Sequence, residues 1–179
     1  HIRNNEDTRS IMLDVVIALC PALLMCVIRF GFRALIAVVV SMASAMFFEW
    51  LYRKLLHKTQ TVGDLSAAVT GMLLAFVSPV TLPYWMLVVG NFFAIFVVKQ
   101  LYGGLGKNFL NPALAGRAAL VACYTSQMTS WIDPSTKAAL FGGADVVTAA
   151  TPLAMMKGGE FEALTAQYSL SDMFIGKIG

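Results

Sequence analysis

Charge is what this chain has least of. Lys, Arg, Asp and Glu make up 13% of its 179 residues and hydrophobic residues 58%, where soluble domains carry roughly 25% and roughly 45–50%. At a mean hydropathy of +0.72, too few polar side chains remain to coat a globule, which argues against a soluble monomer. The 13 basic residues barely outnumber the 10 acidic ones, and they lie in short clusters between apolar runs, which disfavours nucleic-acid binding. Histidine is nearly missing: His1 and His57 both sit in polar segments, so neither a Ser-His-Asp nor a Cys-His set is available and hydrolytic nucleophile chemistry is disfavoured. Cysteine is equally sparse. Cys20 and Cys26 share one apolar run and Cys123 closes another, with no CxxC and no histidine at metal spacing, so buried free thiols are expected and no metal site.

What the chain has in abundance is long apolar runs. The first, 11–28, follows a polar start and is long enough for the roughly 30 Å of a bilayer core at about 1.5 Å per residue. A secretory signal would end at a small-residue cleavage site, whereas Arg29-Phe30-Gly31-Phe32-Arg33 leads straight into a second run. That run, 34–52, carries Ser41, Ala43, Ser44 and Ala45 near its middle, a pattern that lets membrane helices approach closely. It closes with Glu49, Trp50 and Tyr52 and then the basic loop Arg53, Lys54, His57 and Lys58, an aromatic belt before an inside loop.

A third span, 65–80, has Asp64 as its expected N-cap and breaks at Pro79 and Pro83. A fourth covers 84–98. The fifth, 113–124, is short and contains Arg117, so it needs shelter from other protein. In the short loops Arg3, Arg9, Arg53, Lys54, Lys58, Lys99 and Lys107 fall on one side and Arg29 and Arg33 on the other. The positive-inside rule then puts the N-terminus in the cytoplasm and the region after Tyr124 on the outer face. The expected fold class is all-α: a polytopic transmembrane helical protein with about five spans. Residues 1–124 form a transmembrane half, 125–168 a polar outer-face region with weak helical stretches at 138–140 and 152–156, and 169–179 the start of another membrane segment. With no initial Met and a last apolar stretch barely begun, the chain reads as a fragment.

Ionisable residues inside apolar runs come first in a search for chemistry. Asp14 and Glu49 read as end-of-helix charges, and Asp14 and Asp64 are the candidates for an ion relay on burial grounds. Arg117 sits within Asn111-Pro112-Ala113-Leu114-Ala115-Gly116-Arg117, where Pro112 starts a helix, and either a structural ion pair or contact to an anionic ligand would satisfy its guanidinium. The turn Tyr102-Gly103-Gly104-Leu105-Gly106-Lys107-Asn108 has the backbone freedom to cradle a phosphate or approach a flat ring. It is neither GxGxxG nor a P-loop, and a plain re-entrant turn fits it too. In Asp145-Val146-Val147-Thr148-Ala149-Ala150-Thr151-Pro152, spacing alone says only that Thr148 or Thr151 could cap a helix.

That last segment resembles the Asp-x-x-(Ser/Thr)-Gly-Ala-Thr sequence at which a flavin transferase attaches FMN to threonine through a phosphoester. Together with the stretches Thr61 to Gly71 and Asn111 to Ala118, it makes the chain similar to the RnfD family, membrane subunits of the Rnf complexes, which are ion-pumping ferredoxin:NAD oxidoreductases. A membrane subunit of the sodium-pumping NADH:quinone reductase is a relative. The resemblance covers essentially the whole chain, as an N-terminal part of a longer protein with a channel-like inverted-repeat fold.

It implies a redox subunit, not catalytic alone, in the cytoplasmic membrane of a prokaryote, with the FMN loop on the outer face and the other complex subunits, a flavin transferase and the bilayer as partners. Thr151 would carry covalent FMN, with Asp145, Thr148 and Ala150 as recognition positions, and Gly103, Gly104 and Arg117 would help to hold a second, non-covalent flavin or a quinone. Electron transfer would be coupled to Na⁺ or H⁺. One departure stands out: Ala149 occupies a position usually held by glycine, and tolerance of a small side chain is expected there. A passive solute channel of related fold and an unflavinylated scaffold of the same complex are the alternatives.

Overall fold

A computed structural model describes residues 7–131, 152–159 and 169. Among them no strand occurs, and the chain runs through two long helices, α1 (Thr8–Phe30) and α2 (Phe32–Leu55), then α3 (Ser66–Phe76), α4 (Tyr84–Phe92), α5 (Pro112–Cys123), α6 (Thr125–Thr129) and α7 (Pro152–Gly158). Between α2 and α3 lies a 3₁₀ turn, Val62–Asp64. The first two helices are long and apolar enough to cross a membrane, and α3, the α4 region and α5 are shorter apolar helices. This is a membrane-helical protein, as its composition requires.

A helix stands within each of the five apolar runs, with its ends set by identifiable chemistry. Asp7 caps α1, its Oδ1 accepting from Thr8 N at 2.8 Å. Gly31, at φ +79, closes α1 with its amide on Val27 O and opens α2 at the next residue, a reversal that the left-handed backbone freedom of glycine permits. The third span is shorter than 65–80. Leu65 adopts φ 62, α3 begins at Ser66, and Asp64 caps it from outside, its Oδ1 accepting from Ser66 N at 2.9 Å.

Helix α2 is the axis of the fold and buries Ser41, Ala45, Glu49 and Tyr52 along one stripe. It meets α3 at Gly71, where a Cβ would come within 2.6 Å of Ser41 O; Ser41 Oγ donates to Gly71 O across this crossing at 2.7 Å. The small residues expected in the second span therefore do set helix contact. Asn91 of α4 closes the same crossing, its Nδ2 donating to Ser41 O, Ser41 Oγ and Ser44 Oγ at 3.1, 2.8 and 3.0 Å. The short α5 gains the expected shelter by burying Ala113, Gly116 and Leu120; a Cβ on Gly116 would stand 2.8 Å from Gly90 O.

Arg33 and the cysteines lie elsewhere than the sequence suggests. Arg33, expected as a loop charge, is 4% exposed: its Nε donates to Val80 O at 2.7 Å and its Nη2 to Thr81 O at 3.0 Å, while Tyr84 lies under the guanidinium. The proline-rich turn after α3 lacks regular backbone partners, so its carbonyls are free to accept these bonds. The cysteines are free, but Cys20 and Cys123 are exposed and Cys26 is half-buried, because α1 buries no residue and Cys123 lies at the exposed end of α5.

Candidate functional site

The helix begun by α4 does not stop at Phe92 but widens into a π-helical segment, Phe93–Gln100. Wider turns change which side chains face inward, and here Val98, Lys99 and Gln100 are all buried in succession. Lys99 and Gln100 thereby reach Glu49 on α2. Lys99 Nζ lies 3.2 and 3.1 Å from Glu49 Oε1 and Oε2, and Gln100 Nε2 donates to Oε1 at 2.8 Å.

Thr61 Oγ1 donates to the same oxygen at 2.8 Å, and Arg53 Nε stands 4.0 Å from it. Lys99 also donates to Ser66 Oγ at 2.6 Å, which in turn donates to Asp64 Oδ1 at 2.6 Å. Glu49 is wholly buried and Lys99 is 2% exposed. Two opposite charges withdrawn from solvent persist only when paired and hydrogen-bonded, and this network does both. Its outer members, Thr61 and Asp64, border an open hollow shared with Asp7, Arg9, Gln60 and Gly63.

Glu49 is therefore not an end-of-helix charge and Lys99 is not a loop charge; sequence reasoning left their pairing unseen. The available signal was two residues of opposite sign, each closing an apolar run, but the π widening that brings them together has no pattern of its own. Of the two ion-relay candidates, Asp64 joins this network while Asp14 stays on the exposed surface of α1, with no bonded partner among the described residues.

The glycine turn follows directly. Gly103, Gly104 and Gly106 have φ of +107, +96 and +81, and Gly104 N donates to Lys99 O at 2.9 Å, so one residue neutralises Glu49 with its side chain and anchors the turn with its carbonyl. Asn111 caps α5, its Oδ1 accepting from Ala113 N at 3.0 Å, and Pro112 takes the first turn as expected. Arg117 is half-buried on α5 and bonds no carboxylate or carbonyl among the described residues. Asp145, Thr148, Ala149, Ala150 and Thr151, the positions of the flavin-attachment motif, lie outside the described residues; α7 begins immediately after them at Pro152.

The fold is that of a helical membrane protein, with a buried carboxylate–ammonium network beside a glycine turn. The chain belongs to the NQR2, RnfD, RnfE family, whose model matches residues 1–179. It is similar to a subunit of the Na⁺-translocating ferredoxin:NAD⁺ oxidoreductase complex of Acetobacterium woodii, at 47% identity over all of this chain and 53% of that protein. Similar too are a subunit of the proton-translocating ferredoxin:NAD⁺ oxidoreductase complex of Clostridium ljungdahlii, at 39% over 88% of this chain and 46% of that one, and a subunit of the ion-translocating oxidoreductase complex of Shewanella amazonensis, at 35% over 98% and 57%. In all three complexes the matching subunit is the one lettered D. The chain spans about half the length of these curated relatives.

Proposed function

We propose that this chain is part of a membrane redox subunit of an ion-translocating ferredoxin:NAD oxidoreductase complex, with FMN joined to Thr151 by a phosphoester. The observation that carries this reading is the coincidence of a family match along the whole chain with Asp145-Val146-Val147-Thr148-Ala149-Ala150-Thr151-Pro152, a flavin-attachment pattern. Bound there, the flavin would supply one- and two-electron transfer; the protein supplies position, dielectric and hydrogen bonds.

Asp145, Thr148 and Ala150 serve the flavin transferase as recognition positions, on the outer face of a prokaryotic cytoplasmic membrane whose inner side holds the N-terminus. Gly103, Gly104 and Arg117 belong to a second flavin or quinone pocket, a role supported by the left-handed backbone at both glycines. The coupled ion is Na⁺ or H⁺, and the other subunits of the complex deliver and remove electrons. The buried Glu49–Lys99 pair favours a rigid polar core over an open solute channel, because each of its charges is already engaged.

The test is the intact mass and in-gel flavin fluorescence of the full-length protein co-expressed with a flavin transferase, beside Thr151→Ala. A fluorescent band heavier by FMN minus water, lost in the variant, is the expected result. An intact complex without the adduct would replace this reading with the scaffold.

A further inference from the structure

The glycine turn is surrounded by more positive charge and more backbone donors than the fold consumes. The amides of Gly103 and Gly104 are taken by Gln100 O and Lys99 O, and Lys107 N returns to Gly104 O at 3.2 Å. The two amides between, of Leu105 and Gly106, have no hydrogen-bond partner among the described residues. Arg53 packs against the turn from α2, with Nη2 2.9 Å from the point a Cβ on Gly104 would occupy, and Lys107 Cδ lies equally close to the corresponding point on Gly103.

Arg53 is held there without being used up. Its Nη1 donates to Thr59 O at 2.7 Å, while Nε is buried and without a hydrogen-bond partner. Glu49 accepts from Thr61, Gln100 and Lys99 and stands 4.0 Å from Arg53 Nε, so it holds the inner edge of the guanidinium while Nη2, with no hydrogen-bond partner among the described residues, faces the turn.

We propose that this turn is an anion subsite for a phosphate oxyanion. Arg53 and Lys107 are its cationic walls, the Leu105 and Gly106 amides its backbone donors, and Glu49 the residue that keeps Arg53 in position. The inference rests on the reading of the turn as a ligand pocket and adds the charge of what enters it. A guanidinium fork with successive backbone amides suits the tetrahedral oxygens of phosphate, and glycine at 104 is required because a side chain would displace Arg53. The oxyanion could come from the phosphate of a flavin mononucleotide or from the headgroup of an anionic phospholipid; both present the same chemistry.

The experiment uses the full-length protein carrying Thr151→Val, which removes the covalent site from the readout, in phosphatidylcholine nanodiscs. It is titrated with FMN and with riboflavin, which share a ring and differ by the phosphate, and binding is read by flavin fluorescence. FMN is expected to bind about tenfold tighter, the scale of a charged hydrogen bond, with the preference shrinking as salt rises. Arg53→Met and Lys107→Met should each remove most of that preference and leave riboflavin affinity unchanged, while Arg53→Lys retains part of it. A lipid source would show instead as phosphatidylglycerol retained in native mass spectra of the wild type and lost from both Met variants. Equal affinities for the two flavins with no retained phosphatidylglycerol would overturn the subsite, as would a preference for FMN or for phosphatidylglycerol that both Met variants keep. Failure of the Thr151 adduct leaves this readout untouched, so the two ideas fail separately.

Discussion

Lys99 Nζ stands 3.1 Å from Glu49 Oε2, with neither side chain more than 2% exposed. Removing one partner of such a pair strands a buried charge, typically at about 3–5 kcal/mol, whereas removing both is often close to neutral. Lys99→Met should therefore lower the thermal midpoint of the detergent-solubilised full-length protein sharply. The double variant Glu49→Gln, Lys99→Met should recover at least half of the loss, since Gln100 and Thr61 still find an acceptor at position 49. Losses that simply add would mean that the two groups do not stabilise each other.

The crossing of α2 and α3 gives a steric prediction. A Cβ at Gly71 would sit 2.6 Å from Ser41 O and 2.9 Å from Met42 Cα, both backbone atoms with no rotamer to adopt, so Gly71→Ala must push the helices apart. Overpacking of this kind costs about 1–3 kcal/mol, and the hydrogen bonds from Ser41 Oγ to Gly71 O and from Asn91 to Ser41 stretch with it. Ser41→Ala, which removes one bond without adding volume, should cost less. Comparing their thermal midpoints decides the matter: equal losses would show that close approach is not what Gly71 provides.

Arg33 allows a local test at the other end of the bundle. Its guanidinium holds Val80 O and Thr81 O, and Thr81 Oγ1 donates to Ser130 O at 3.0 Å, so one side chain ties the start of α2 to the turn after α3 and, through it, to the segment after α6. Bonds to a charged donor contribute about 1.5–3 kcal/mol. Arg33→Leu should speed hydrogen exchange at the amides of residues 80–82 at least tenfold, with Arg33→Lys in between because an ammonium cannot span both carbonyls. Unchanged exchange would show that the turn is held by Leu82 and its apolar neighbours instead.

Five apolar runs and their order were legible in the sequence because membrane burial writes itself as composition. So were the helix start at Pro112, the short link at 29–33 and the tight packing around Ser41, since each depends on residue types that few other positions tolerate. Charge placement was not. Arg33, Glu49 and Lys99 look like interfacial residues when only distance along the chain is considered, and tertiary contacts some fifty residues away make them interior. The shift of α3 to Ser66 was hidden for a related reason: Leu65 in a left-handed conformation breaks a rule that sequence reading relies on. The flavin-attachment positions were legible only through resemblance, because two hydroxyls three apart carry no distinctive physical signal.

Ala149 provides the sharpest test of that resemblance. If the transferase requires the left-handed backbone that glycine adopts freely, alanine there costs about 1–2 kcal/mol, a factor of roughly five to thirty in an equilibrium or a rate. If it requires only a small side chain, the difference falls to the loss of unfolded-chain freedom, well below 1 kcal/mol. We expect the second: Ala149→Gly should change the initial rate of FMN attachment to the full-length protein by less than threefold, measured by in-gel fluorescence at limiting transferase, while Thr151→Ala abolishes it. An acceleration of tenfold or more would place the strain at Ala149 and make this chain a slow substrate for its own maturation.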